Sequence, residues 1–172
     1  MERPYGYFTE AEGEAYTKLV QGIREGTVVE LGVFKGLSLS YVIPTCKENN
    51  NRLVGIDDWR WRPCENIKED FFKWLDSNNY LDAVEVIEKD CLDAVNEFED
   101  ASLDLVMVDT DHFYKPFTEQ ARAWLPKLKP GGIFCGHDYN ERWFSLRRGI
   151  DEIFGKPHNL VDSFWWFEVD SP

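Results

Sequence analysis

The stretch Val28-Val29-Glu30-Leu31-Gly32-Val33-Phe34-Lys35-Gly36-Leu37-Ser38 carries the strongest local signal in the chain. A short β-branched run ends in a glutamate, a glycine-bearing turn follows, and a helical pattern begins. Glycine at such a turn lets the backbone approach a ligand, and the helix start offers unpaired N–H groups to a carboxylate or phosphate. A dinucleotide turn prefers G-x-G-x-x-G, whose middle glycine makes room for a pyrophosphate. Here the spacing is G-x-x-x-G, with Phe34 where that glycine would stand, which argues against a pyrophosphate.

Outward from this turn, short apolar runs alternate with amphipathic segments. Thr27–Leu31, Leu53–Ile56, Val84–Ile87, Leu103–Val108 and Gly132–Cys135 read as strands. The middle runs are too apolar for a one-faced sheet and suit a parallel sheet covered on both sides. Ile67, Phe71, Trp74 and Leu75 share one helical face, as do Phe117, Ala121, Trp124, Leu125 and Leu128, with Pro116 in a first turn. Thr9-Glu10-Ala11-Glu12 has the capping-box pattern and starts a helix to about Gly22. Phe144–Phe154 reads as a helix ended by Gly155, and Asn159–Val161 with Phe164–Val169 as a closing antiparallel hairpin. Pro44 falls about seven residues into the helix after the first strand, so that helix is expected to kink or stop early. Trp165 and Trp166 alternate in the last strand, so at most one should face inward. The count is five strands linked by helices plus the hairpin: an α/β Rossmann-like, mostly parallel seven-stranded sheet with helices on both faces. One domain is expected over 1–172, with an N-terminal helical segment (1–26) before the core (27–172).

Composition narrows the function. Nineteen Lys+Arg against 32 Asp+Glu give a net charge of −13, which repels phosphate backbones and anionic membranes. Nucleic acid and membrane are therefore not expected as partners. The local exception is Arg142, Arg147 and Arg148, read as a solvated helix face where an acidic substrate could be met. An apolar fraction of 43% with 15% aromatics excludes a disordered chain. The four cysteines, Cys46, Cys64, Cys91 and Cys135, show no CxxC and read as reduced thiols. Met1-Glu2-Arg3-Pro4 lacks an apolar h-region and no apolar run approaches ~18 residues, so a cytoplasmic location is expected.

Acids cluster where strands should end on one edge. Asp57-Asp58 follow the second strand and Asp90 the third, positions suited to a ribose and an exocyclic amine. Each could instead cap the next helix. The fourth strand ends in Asp109-Thr110-Asp111-His112 and the fifth in His137-Asp138. Neighbouring parallel strands would bring Asp109, His137 and Asp138 together as a mixed O/N site for Mg²⁺ or another divalent cation. His112 beside them could accept a hydroxyl proton near neutral pH. Trp59, Trp61 and Trp143 could wall a substrate pocket, whereas Trp74 and Trp124 sit on core helix faces.

These residues together resemble a class I S-adenosylmethionine-dependent methyltransferase, within the small-molecule O-methyltransferase branch that includes methyltransferase-24-like, macrocin-type and cephalosporin-hydroxylase-like relatives. The resemblance rests on Val28–Ser38, Leu53–Asp57, Val108–Tyr114 and Trp124–Tyr139, the last holding the Leu-Pro-Lys-Leu-Lys-Pro-Gly-Gly run, and spans about residues 9–170. It implies that Glu30, Gly32, Val33, Phe34, Gly36 and Ser38 surround the methionine end of the cofactor. Asp57 and Asp58 would bind the ribose, and Asp90 with the Cys91 backbone the adenine. Asp109 would serve cofactor and catalysis, with His112 as general base. Metal-dependent relatives hold their ion at positions corresponding to Asp109, His137 and Asp138; many carry an acid or Asn where His137 stands.

The expected activity is metal-assisted O-methylation of a small-molecule hydroxyl, on a sugar or a phenol; self-association stays open. A metal-free variant with His112 alone as base, a nicotinamide-dependent oxidoreductase and a non-catalytic nucleoside-binding module are the alternatives. Gly32→Val is expected to abolish cofactor binding and leave the fold intact.

Overall fold

The computed structural model describes residues 3–60 and 64–169. Its elements follow the order α1 (Glu10–Gln21), β1 (Thr27–Leu31), α2 (Leu37–Glu48), β2 (Arg52–Ile56), α3 (Ile67–Ser77), β3 (Glu85–Ile87), α4 (Cys91–Ala94), β4 (Leu103–Val108), α5 (Tyr114–Trp124), β5 (Leu128–Gly136), α6 (Phe144–Phe154), β6 (Asn159–Val161) and β7 (Phe164–Glu168). The seven strands form one sheet in the order β3-β2-β1-β4-β5-β7-β6. β1 to β5 run parallel, and β7 pairs antiparallel with both β5 and β6.

Alternation along each strand builds two cores. Val28, Leu105, Met107, Cys135 and Phe164 face Tyr16, Leu39 and Phe71 of the first three helices. Val29, Val106, Phe134 and Trp165 face Cys91, Phe117 and Ile150 on the opposite side. Both faces are covered, so the strands carry apolar residues on both sides.

Three sequence expectations change. α2 runs through Pro44 to Glu48 without stopping. The proline ring is exposed while Val42, Ile43 and Cys46 on either side are buried, so packing outweighs the missing backbone donor. Trp165 and Trp166 both pack: Trp165 lies in the second core and Trp166 is partly buried against the first. Helices cover both faces of the sheet, so side chains of β7 that point to opposite sides both meet a core. β5 begins at Leu128, four residues earlier than expected, because α5 ends at Trp124 and gives way to a 3-10 turn. No helix among the described residues is long and apolar enough to cross a membrane. All four cysteines are free.

Candidate active site

Strand order reverses between β1 and β4, and a cavity of about 810 Å³ opens at the carboxyl ends of the parallel strands there. The glycine turn forms its floor. Gly32 (φ +86°) and Gly36 (φ +85°) adopt the left-handed backbone. A Cβ on Gly32 would run into the Asp109 carbonyl oxygen, and one on Gly36 would meet the Phe71 ring at 2.7 Å. Gly32 is therefore required for β1 to approach the end of β4. The expectation that Gly32→Val spares the fold is corrected: the space is taken by backbone. Phe34 also has positive φ (+51°), its N–H donating to Asp57 Oδ2 at 2.9 Å.

Glu30, Ser38 and Gly36 fall into two groups. Ser38 lines the cavity with Gly32, Val33 and Phe34, whereas Glu30 and Gly36 lie outside its lining. Glu30 is fully buried behind Ser38, which donates to its Oε1 at 2.5 Å. Burial pushes the Glu30 carboxyl up to about 8, against the Ser38 hydrogen bond that favours the charge.

Asp57, Asp58, Asp90 and Cys91, the residues expected to meet a nucleoside, all line the cavity. Asp57 accepts from the Phe34 and Trp59 N–H groups, one on each oxygen, and burial raises its carboxyl above the usual range. Asp58 takes the Arg60 N–H at 3.0 Å and faces its guanidinium. Asp90 caps α4 by accepting from Leu92 N–H at 2.8 Å, so it is a helix cap that also lines the cavity beside Cys91. Trp59 packs on Phe71 and Phe72 and lines the same wall. Trp61 lies outside the described residues.

The second expected cluster also assembles. Asp109, His137 and Asp138 each offer a ligand atom within 4.8 Å of the others. His137 Nδ1 stands 3.7 Å from Asp109 Oδ2 and 3.5 Å from Asp138 Oδ2. On its other side, Nε2 lies 3.2 Å from both Glu12 oxygens and 3.0 Å from Ser163 Oγ. With a cation in place, Nε2–H given to Glu12 would leave the Nδ1 lone pair facing the two aspartates, the arrangement in which a second carboxylate orients a histidine ligand. Two carboxylates and one imidazole suit a divalent cation. Burial favours a neutral His137, yet Asp109, Asp138 and Glu12 outweigh it and push the imidazole up to about 11. Burial, reinforced by Asp138 and opposed by His137, raises Asp109 to about 6.

His112 joins this group. Its Nε2 lies 2.6 Å from Asp138 Oδ2 and its ring stacks on Trp143 at 4.1 Å. Although burial works the other way, the hydrogen bonds from His112 and His137 hold the Asp138 carboxyl well below the usual range.

Glu12 and Ser163 escaped the sequence reading. The capping box predicted at Thr9 and Glu12 is present in full, and the same Glu12 carboxylate reaches His137 and the Ser163 N–H. The available signal was spacing: Glu12, Tyr16 and Val20 stand at i, i+4 and i+8, which puts Glu12 on the buried stripe of α1.

A parallel sheet reversing at β1/β4, a glycine turn, acids at successive strand ends and an antiparallel C-terminal hairpin define the class I S-adenosylmethionine-dependent methyltransferase fold. The chain belongs to the family described as a methyltransferase domain, whose model matches residues 29–139. It is 26% identical over 166 residues to the uncharacterized protein y4gI of Sinorhizobium fredii, a match covering 88% of this chain but 18% of that protein. The chain thus spans about a fifth of the length of that curated relative. Among solved structures, cofactor-bound Rv0187 from MTB superposes with a TM-score of 0.77 at 17% identity, over 99% of this chain and 85% of its own. CalS11, a TDP-rhamnose 3'-O-methyltransferase of calicheamicin biosynthesis, gives 0.67 at 17% identity, over 91% and 76%. At these identities the likeness is one of fold.

Proposed function

We propose that the protein transfers a methyl group from S-adenosylmethionine to a hydroxyl of a small molecule, a sugar or a phenol, with assistance from a divalent cation. One observation carries the reading. A single cavity runs from the glycine turn, Asp57 and Asp90 to Asp109, His112, His137 and Asp138, so a nucleoside half adjoins an acid–base half. That CalS11 methylates a nucleotide-linked sugar favours a sugar among the acceptors.

Asp57 would hold the ribose hydroxyls: each of its oxygens has given one lone pair to a loop N–H and keeps another. Ser38 and the Val33–Phe34 backbone would meet the methionine end. When bound, S-adenosylmethionine supplies an electrophilic methyl whose C–S bond breaks as the new O–C bond forms, leaving a neutral thioether. Asp109, His137 and Asp138 would hold the cation, which lowers the pKa of a hydroxyl bound to it. His112 gives Nε2–H to Asp138 and keeps Nδ1 as a basic nitrogen for the acceptor proton. Trp143 fixes the plane of that imidazole, and positioning is most of what the protein must provide.

The His112–Asp138 hydrogen bond favours a second reading, in which this pair deprotonates the acceptor without a cation. Calorimetric titration with S-adenosylhomocysteine, and separately NAD, tests the cofactor. Micromolar binding of the first and none of the second supports the methyltransferase reading; binding of NAD alone overturns it. Methyl transfer in EDTA, then with added Mg²⁺, separates the readings: activity restored by Mg²⁺ supports assistance, and full activity in EDTA leaves the His112–Asp138 pair.

A further inference from the structure

The cavity wall is strongly acidic. Eight carboxylates line it against two long-chain cations, Lys89 and Arg142. Lys89 is held by Glu97. Of the neighbouring arginines, Arg147 pairs with Glu141 and Arg148 lies over the Tyr114 ring at 4.7 Å, and neither lines the cavity. Among the described residues, Arg142 has no carboxylate within ion-pair distance; its guanidinium rests 4.9 Å from the Trp143 ring centroid.

That placement is tied to the acid–base cluster. Trp143 is the ring stacked on His112, so the guanidinium and the imidazole both lie against one indole. The connecting loop is braced at each step. Asn140 N–H donates to the Asp138 carbonyl at 2.8 Å, Asn140 Oδ1 accepts the Arg142 N–H at 3.0 Å, and Trp143 N–H reaches the Asn140 carbonyl at 3.2 Å. From the N-terminal segment Tyr7, stacked on Phe34 with centroids 6.2 Å apart, borders the same cavity.

We propose that Arg142 receives an oxyanion carried by the acceptor, a phosphate or a carboxylate, while the hydroxyl to be methylated lies beside His112. The inference rests on the methyltransferase reading above. A guanidinium stacked on an aromatic face keeps its planar fork of donors available, the geometry that matches phosphate and carboxylate oxygens. The acidic interior makes the choice of end. A negative group is repelled by the carboxylates lining the cavity, and of the two long-chain cations there Arg142, exposed, is the one without a carboxylate partner among the described residues, so the acceptor enters with its anion at the rim and its neutral hydroxyl inward. Tyr7, exposed on the cavity wall, offers aromatic surface to a ring between the two ends.

The test uses charged and neutral twins: 3,4-dihydroxybenzoate against its methyl ester, and glucose 1-phosphate against methyl glucoside. Each is titrated into the full chain with saturating S-adenosylhomocysteine and Mg²⁺, and into Arg142→Gln and Arg142→Lys. The expected result is that at least one charged member binds about tenfold more tightly than its twin, the worth of a charge-assisted hydrogen bond. Arg142→Gln should abolish that preference and Arg142→Lys restore part of it. The pair showing the preference tells phosphate from carboxylate. Equal binding of twins, binding of no probe, or a preference that survives Arg142→Gln overturns the inference. S-adenosylhomocysteine is titrated first. If it binds and no charge preference follows, the oxyanion inference falls alone; if it does not bind, the methyltransferase reading falls with it.

Discussion

Glu12 and His137 lie 125 residues apart in sequence, and the Glu12 carboxylate holds the His137 Nε2 edge with both oxygens at 3.2 Å. The contact joins the first helix to the end of β5 and orients the imidazole so that Nδ1 faces Asp109 and Asp138. The same carboxylate accepts from the Ser163 N–H at the β6–β7 turn and closes the capping box with Thr9. One buried side chain therefore ties the helix start, the hairpin turn and the site histidine together.

Removing that carboxylate should be costly. Glu12→Ala leaves the buried His137 Nε2–H and the Ser163 N–H without their acceptor, a loss of about 3 kcal/mol by comparison with other broken buried pairs. Chemical denaturation should show a lower midpoint, with Glu12→Gln falling between the variant and the parent. Calorimetric titration with Mn²⁺ should show affinity down about tenfold or more in Glu12→Gln, the usual effect of losing a partner behind a histidine ligand. Unchanged stability and unchanged Mn²⁺ affinity would show that Glu12 merely fills space.

Much of this arrangement was legible in the sequence, for identifiable reasons. The helix Phe144–Phe154 and its stop at Gly155 follow from apolar spacing and a glycine beyond the last turn. The meeting of Asp109 with His137 and Asp138 follows from two parallel strands being neighbours, a property of topology. What stayed hidden needed tertiary information. A capping box explains Glu12 without asking where its face is buried, and the turn residue Ser163 has no local pattern that points to β5. Glu30 stands at the expected strand end, but which side of the turn it packs on depends on Tyr16 and Ser38, contributed by two different helices.

Gly32 provides a test of backbone geometry separate from chemistry. A side chain there meets both a positive φ and the Asp109 carbonyl oxygen. Strain of this kind costs about 1–3 kcal/mol for the dihedral alone, and displaced backbone adds to it. Gly32→Ala should therefore lower the denaturation midpoint measurably, and Gly32→Val should yield little folded protein by circular dichroism. Retention of full stability by Gly32→Ala would mean that β1 and β4 can part without penalty.

Glu30 predicts a pH dependence with a definite sign. Its carboxyl titrates near pH 4.5 when exposed and is pushed to about 8 by burial in the fold. Between these values the native state holds a proton that the unfolded state has lost, so this group's contribution to stability falls as pH rises from about 4.5 to about 8 and then levels off. Glu30→Gln supplies a permanently neutral group that can still accept from Ser38. Unfolding midpoints of the two proteins should be similar near pH 5, and the variant should be the more stable at pH 8.5. Parallel pH profiles for the two proteins would rule out Glu30 as the source of the slope.

His112 is the side chain on which the chemistry should depend most sharply. It touches the floor of the acceptor half through Asp138 and Trp143, and it has no hydrogen bond to the glycine turn or to Asp57. His112→Ala should therefore leave the affinity for S-adenosylhomocysteine within about twofold while slowing turnover by about 10²–10⁴-fold, the range that a general base supplies. Asp138→Asn should slow turnover as well, because an amide can present its NH₂ to His112 and fix the wrong tautomer. Exogenous imidazole should restore part of the rate to His112→Ala and none to Asp138→Asn. If His112→Ala loses nucleoside binding in proportion to rate, the residue shapes the pocket and the proton must go elsewhere.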